Sequence, residues 1–468
     1  MNDIRIRIER ISIKNFKNIE NGEIKLSSDY SKYQANLLGL YGQNGSGKTA
    51  LIDVLDMTNI LMKSDALPLK YGEMVNKNAE FAHIAVEFSI KFIKKNVQFT
   101  FIYDYSIRKV ITNPLEPNNS GTGGVSEWTQ VFDEVLSYSC HSSGKTTRMT
   151  ALIDTRTEQP FIPRSKYRLL VGKKKEIKTN LLVAKGMAAN SGRSFIFSRE
   201  LIKTTQEQCQ DVLLKTIPWV LFLYSDTNFF VVSTRNTSYI NSLDALPVFV
   251  GDENSLAGNV LLKMDEPGTI SEVVYPFVEE SFLNMNLVIE KMVPGLNIYL
   301  QKLGTQISED GKNEIRYQLM SRRGDVTIPL LYESDGIKKI VSILHLLIGV
   351  YNNPSMTVAI DEIDSGIFEY LLGELLAIIQ EKGKGQLIFT SHNLRPLETL
   401  DKKFIVFTTT DPKKRFVRLT NVKKNNNLRD FYYRDIILGG QMTPIYEPTN
   451  NQEIAMAFRE AGITHVDA

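Results

Sequence analysis

Gly42-Gln43-Asn44-Gly45-Ser46-Gly47-Lys48-Thr49 is the stretch that decides how this chain is read. It fits G-x-x-x-x-G-K-[ST] in full. An apolar run from Ala35 to Tyr41 leads into it, and Ala50 to Met62 follows, with Leu51, Ile52, Leu55 and Ile60 at roughly helical spacing. That order predicts a strand, a glycine-rich loop and a helix. The glycines let successive backbone N–H groups turn inward around phosphates. Lys48 adds charge at the β- and γ-phosphates, and the Thr49 hydroxyl suits Mg²⁺. The positive end of the following helix faces the same anion. A tight structural turn is the plain alternative, and the strand–loop–helix setting speaks against it. The guanine-reading N-K-x-D pattern is absent, since Asn76-Lys77-Asn78-Ala79 lacks the aspartate, which favours ATP.

Further along, Met356-Thr357-Val358-Ala359-Ile360 reads as an apolar strand that delivers Asp361-Glu362 at its C-terminal end. In that position Asp361 suits the Mg²⁺ shell, and Glu362, one residue on, suits a general base for an attacking water. An acidic pair after a strand also serves as a helix cap, and the phosphate loop is what tips the reading toward chemistry. Gln386-Leu387-Ile388-Phe389-Thr390-Ser391 forms another strand and ends at His392, placed to sense a γ-phosphate. His345, inside an apolar helical run, reads instead as a packing residue.

Composition sets the frame. The 468 residues carry 55 Lys+Arg against 53 Asp+Glu, a formal net charge of +2, with 43% hydrophobic and 23% charged residues. This excludes a disordered chain, a collagen-like fibre, a disulfide scaffold and a uniformly basic coat protein. Cys140 and Cys209 form no C-x-x-C pair, which suits a reducing cytoplasm and offers no metal spacing. The longest apolar stretch, 340–350, is too short for a bilayer, so no membrane role is expected.

Alternation at Ile4, Ile6, Ile8, Ile11 and Ile13 marks a half-buried strand, and residues 84–105 alternate as an antiparallel hairpin. A Pro/Asn/Gly cluster from Pro114 to Gly124 marks a boundary. The expected organisation is an N-terminal core half at 1–107 and a mainly helical insertion at 108–326, with helices at 196–224 and 270–293. A C-terminal core half follows at 327–425, and a segment at 426–468 that would dock a partner. The fold class is α/β, with a mixed sheet and flanking antiparallel strands.

Three elements, the phosphate loop, Asp361-Glu362 and His392, stand in the order of the ATP-binding cassette (ABC) ATPases. Asp364-Ser365-Gly366 falls at the D-loop position, and Ile11 to Asn18 resembles the start of SMC/RecF-type ATPase heads. The resemblance covers roughly 1–107 and 327–425. It implies an ABC ATPase head that binds ATP and Mg²⁺ and hydrolyses ATP in composite sites between protomers. The family's signature loop, usually L-S-G-G-Q, is represented by Glu333-Ser334-Asp335-Gly336-Ile337, which keeps only Ser334 and Gly336. The resemblance assigns those two residues and Asp364 to nucleotide contact, and Asp335 would repel a phosphate unless it turns away or Lys338 or Lys339 offsets its charge. The Q-loop glutamine is missing: none occurs between Ala50 and Val97.

Similar degenerate loops occur in stand-alone ATPases of bacterial anti-phage systems of the PARIS, Septu and OLD-like groups. The resemblance therefore implies a homo-oligomeric sensor or scaffold that answers a phage-encoded trigger and controls a separate effector, a nuclease. Residues 428–468 are too short for a Toprim-like nuclease domain, and the chain has only five histidines. The alternative is a DNA-repair or chromosome-organising ATPase of RecF or SMC type. DNA is a further candidate partner through two basic runs. One holds Arg164, Lys166, Arg168, Lys173, Lys174, Lys175 and Lys178, and the other Lys413, Lys414, Arg415, Arg418, Lys423 and Lys424. Phe431-Tyr432-Tyr433 would stack bases or, more simply, pack the C-terminal segment.

Overall fold

The computed structural model describes residues 4–26, 36–112, 126–171, 175–233, 240–241, 245–250, 258–419, 427–438 and 450–462. Along the chain run β1 (Ile4–Phe16), β2 (Ile19–Lys25), β3 (Asn36–Tyr41), α1 (Lys48–Met62) and α2 (Leu69–Glu73). Next come β4 (Ala82–Phe92), β5 (Val97–Thr112), β6 (Ser126–Ser142), β7 (Lys145–Thr146) and β8 (Thr150–Asp154). Four helices follow, α3 (Arg164–Val171), α4 (Lys175–Asn190), α5 (Arg199–Gln208) and α6 (Val212–Thr227). Then come β9 (Phe229–Ser233), β10 (Ile240–Asn241), β11 (Ala245–Val250), β12 (Gly258–Lys263), β13 (Gly268–Ser271) and α7 (Tyr275–Met292). After β14 (Leu296–Ile307), β15 (Asn313–Arg323) and β16 (Val326–Pro329) stand α8 (Asp335–Asn352), β17 (Thr357–Ile360) and α9 (Glu369–Lys382). The chain closes with β18 (Gln386–Thr390), α10 (Pro396–Thr399), β19 (Ile405–Thr408), β20 (Phe416–Val417), α11 (Leu428–Leu438) and α12 (Asn451–Gly462).

These elements make a mixed α/β fold. One sheet has the order β10-β9-β17-β18-β3-β19-β20 and is parallel except for the last pair. Its central strands read as unbroken apolar runs because both faces are covered: every residue of β3, β9, β17 and β18 is buried. An antiparallel sheet, ordered β2-β1-β4-β5-β6-β7 with β8 also on β6, lies alongside. In β1 the alternation changes phase because the register with β4 shifts between Ile8 and Arg10, a bulge that keeps Ile6, Ile8, Ile11 and Ile13 all in the core. Helix α1 is buried along nearly its whole length between these layers.

The N- and C-terminal stretches are bound to each other. Gln386, fully buried, accepts the Ile8 N–H at 2.8 Å and donates to the Ile8 carbonyl at 2.8 Å. Residues 108–326 hold helices α3 to α7 but also strands β6 to β15, so the stretch is mixed rather than mainly helical. The helix expected at 196–224 is two, α5 and α6, broken at Cys209 to Asp211. Strand β6 prolongs the β4–β5 hairpin sheet, and β9 lies beside β17 in the parallel sheet. Phe229-Phe230-Val231-Val232 thus belongs to the core within a stretch read as insertion. Four apolar residues directly after a helix give no period by which to separate a strand from a helix end. The expected helix at 270–293 starts at Tyr275, since Ile270 lies in β13, paired with Ile315 of β15. Beyond this, β14, β15 and β16 form a separate antiparallel sheet with β13.

Candidate functional site

Strand β3 delivers Gly42 to Thr49 at its C-terminal end, and α1 starts at Lys48. A Cβ at Gly42 would lie 2.2 Å from Thr408 Oγ1 and 2.6 Å from the Thr408 carbonyl oxygen, so the loop tolerates only glycine there. Gly47, the residue before the helix, has φ +100°, a left-handed conformation that favours glycine. Ser46 is buried; its hydroxyl donates to the Gln43 carbonyl at 2.6 Å and meets the Thr408 hydroxyl. Asn44 and Gly45 are exposed, and Gln43, Gly47 and Thr49 are half-buried. The Lys48 ammonium folds back into the loop, donating to the carbonyls of Gly42 at 2.8 Å and Gln43 at 3.2 Å. A phosphate would take over those donors. Burial lowers its pKa, and the negative charges of Asp361, Glu362 and Asp364 oppose that shift.

That field comes from the end of β17. Asp361 is only 1% exposed. Thr390, the last residue of β18, holds both acidic residues: its hydroxyl donates to Asp361 Oδ1 at 2.7 Å and accepts the Glu362 N–H at 2.7 Å. The parallel register that places Ile360 opposite Phe389 makes this possible. Glu362 has φ +49°, left-handed backbone that side-chain-bearing residues rarely adopt. Asp364 Oδ2 accepts the N–H groups of His392 at 3.1 Å and Asn393 at 3.0 Å. Its Oδ1 is buried and unpaired among the described residues. The carboxylate assigned to nucleotide contact is therefore turned inward and clips the loop after β17 to the tip of β18. His392 itself is exposed.

Ser334 caps α8, accepting the Ile337 N–H at 3.4 Å, and it is exposed. Gly336 packs on Gly366: a Cβ at 336 would fall 2.2 Å from the Gly366 carbonyl oxygen. The signature-like turn and the loop 364–366 thus touch within one chain. Asp335 is met by Lys338 at 2.8 Å, while Lys339 turns inward and is 1% exposed.

Sequence reasoning did not find the roles of Thr390, Thr408 or Asn18, nor the burial of Lys339. Asn18 donates to the Gly45 carbonyl, and its own carbonyl accepts from Arg415. Only the position of Thr390 at the strand end offered a signal. Arg415, read as part of a basic run, is 5% exposed and bonds Asn18 and Thr409 carbonyls. Arg418 bonds the carbonyls of Lys25 and Ile405. Both fasten the fold internally. Arg164, Arg168, Lys175 and Lys178 are exposed, and Lys166 pairs with Asp211. Lys173, Lys174, Lys423 and Lys424 lie outside the described residues. Phe431 and Tyr432 are buried and pack α11, Tyr432 stacking on Phe407 at 4.9 Å, while Tyr433 is 44% exposed. Burial lowers the His345 pKa to about 4, in keeping with a neutral packing residue. No helix among the described residues is long and apolar enough to cross a membrane.

The family described as an AAA domain matches residues 10–211, which include the phosphate loop. No curated protein matches the sequence significantly. Among solved structures, the chain is similar to the SMC head domain with an extended coiled coil bound to the C-terminal domain of ScpA from Pyrococcus furiosus. That likeness has 14% identity and a TM-score of 0.38, covering 88% of this chain and 96% of that one. The SMC head domain from Thermotoga maritima matches at 13% identity and TM-score 0.34, covering 88% and 99%. The recombination mediator protein RecF matches at 12% identity and TM-score 0.32, covering 83% and 93%.

Proposed function

We propose that this chain binds and hydrolyses ATP at the C-terminal ends of β3, β17 and β18. The observation that carries the reading is the parallel order β17-β18-β3, which brings the phosphate loop with Lys48 and the Asp361–Glu362 turn to the same edge of one sheet. Lys48 and the loop N–H groups hold the phosphates. Glu362 takes the proton of the attacking water, and His392 meets the γ-phosphate from the tip of β18. The donor set suits Mg²⁺: one hydroxyl from Thr49 and one carboxylate from Asp361, itself oriented by Thr390. Mg²⁺, when bound, offsets negative charge on the β- and γ-phosphates.

The exposed Ser334 and the N-terminal turn of α8 support a composite site, in which a second copy presents these donors to the γ-phosphate. On the resemblance of its degenerate signature loop, the chain acts in the cytoplasm as an ATP-dependent sensor. In this reading it restrains a separate effector, a nuclease, in anti-phage defence. Native mass measurement of Glu362→Gln tests the assembly: ATP is expected to trap a homo-oligomer that Lys48→Ala does not form. A monomer under all conditions would remove the composite-site reading.

A further inference from the structure

The second lysine of α8 has no part in the reaction as described so far. Lys339 is 1% exposed, and the α8 residues nearest to it on the helix, Ile340 and Ile343, are apolar core residues. A lysine in such a place is costly unless opposite charge faces it. The adjacent Lys338 turns outward to Asp335 at 2.8 Å, so the two lysines divide between the surface and the interior. Lys339 Nζ lies 3.5 Å from the Asp361 carbonyl oxygen, too long for a strong hydrogen bond. Burial lowers the Lys339 pKa to about 8, and the negative charges of Asp361, Glu362 and Asp364 only partly oppose that shift. Lys48 feels the same three. A bound phosphate draws the Lys48 ammonium from the loop carbonyls it now meets, whereas Lys339, fixed on α8, keeps its place beside Asp361.

We propose that Lys339 is a positioning residue: its charge holds the Asp361–Glu362 turn in the conformation needed for hydrolysis. It also ties that turn to α8, whose first turn carries Ser334 and Gly336. The Gly336–Gly366 backbone contact is the second fastening of the same two segments. A displacement of the α8 turn by a partner copy is thereby transmitted to the hydrolytic carboxylates. This inference rests on the ATPase reading of Asp361 and Glu362, and its test separates the two.

Lys339→Met, Glu362→Gln and the double variant are compared by thermal unfolding without nucleotide or metal. Lys339→Met lowers the Tm by several degrees, and in the Glu362→Gln background a measurable part of that loss disappears, because one of the facing charges is gone. Lys339→Gln serves the same cycle if the Met variant does not fold. In steady state Lys339→Met loses about tenfold or more in kcat with its affinity for a fluorescent ATP analogue within about threefold of the parent, and Lys339→Arg recovers part of the rate. Additive Tm losses overturn the charge contact with the cluster. Strong coupling in a protein that hydrolyses no ATP preserves that contact and overturns the ATPase reading. Loss of ATP affinity equal to the loss of kcat, or no recovery by Arg, overturns the positioning role.

Discussion

Glu362 is the residue at which backbone strain and proposed chemistry coincide, and substituting it by glycine and by alanine isolates the strain. Its φ of +49° places an L side chain in left-handed backbone, at a cost of roughly 1–2 kcal/mol. Glycine adopts that conformation freely, while its looser unfolded state returns about 0.4–1 kcal/mol of the gain. Both variants delete the same carboxylate, so relief of repulsion with Asp361 and Asp364 cancels between them. Both also keep the N–H that Thr390 accepts. The net expectation is that Glu362→Gly is more stable than Glu362→Ala by about 1 kcal/mol. At an ordinary helix or strand position the order is the reverse, by about 0.5–1 kcal/mol. For a cooperative unit of 150–250 residues this is a Tm higher by about 2–4 °C. Thermal unfolding of the two nucleotide-free variants in one buffer measures it directly. An alanine variant as stable as the glycine variant, or more so, would refute the claim that the Thr390 clamp holds Glu362 in strained backbone.

Two other outcomes follow from the same geometry. Gly336→Ala introduces a Cβ 2.2 Å from the Gly366 carbonyl oxygen, and the two backbones must separate. The expected cost is about 1–3 kcal/mol, with hydrolysis impaired and ATP binding to the untouched phosphate loop retained; undiminished turnover contradicts the coupling of these loops. Asp56 on α1 is 4% exposed, and burial raises its pKa to about 6, opposed by the hydrogen bond from the Tyr71 hydroxyl. Because the folded value lies above the unfolded one, folding favours the protonated acid. This contribution is full below about pH 4 and is lost as pH rises through 6. Asp56→Asn removes that dependence, so its stability relative to the parent grows by about 2–3 kcal/mol between pH 4 and pH 7 in urea unfolding. A difference that stays flat with pH contradicts it.

What the sequence made legible was chemistry carried by contiguous residues. The strand, loop and helix around Gly42 to Thr49 could be placed because apolar run, glycines and helical spacing are neighbours in the chain. The same holds for the strands that end at Asp361 and before His392. Thr390 was not legible as a clamp because its work depends on the register between β17 and β18, and nothing local encodes that pairing. Lys339 was read beside Lys338 as an alternative counter-charge to Asp335, and only the packing of α8 gives that part to Lys338 and buries Lys339. Arg415 and Arg418 read as a basic run because sequence lists charges without their partners, here backbone carbonyls close to the chain's other end. Strand β9 was hidden by its brevity and by the helix that runs into it.

Phosphate release by the purified protein, with and without Mg²⁺, tests the central claim most directly when the parent is compared with Lys48→Ala and Glu362→Gln. The parent is expected to release phosphate from ATP only with Mg²⁺. Lys48→Ala then loses nucleotide binding and turnover together, and Glu362→Gln keeps binding while its turnover falls by at least about a hundredfold. Hydrolysis at the parent rate in both variants would contradict the assignment of Lys48 and Glu362 to the site.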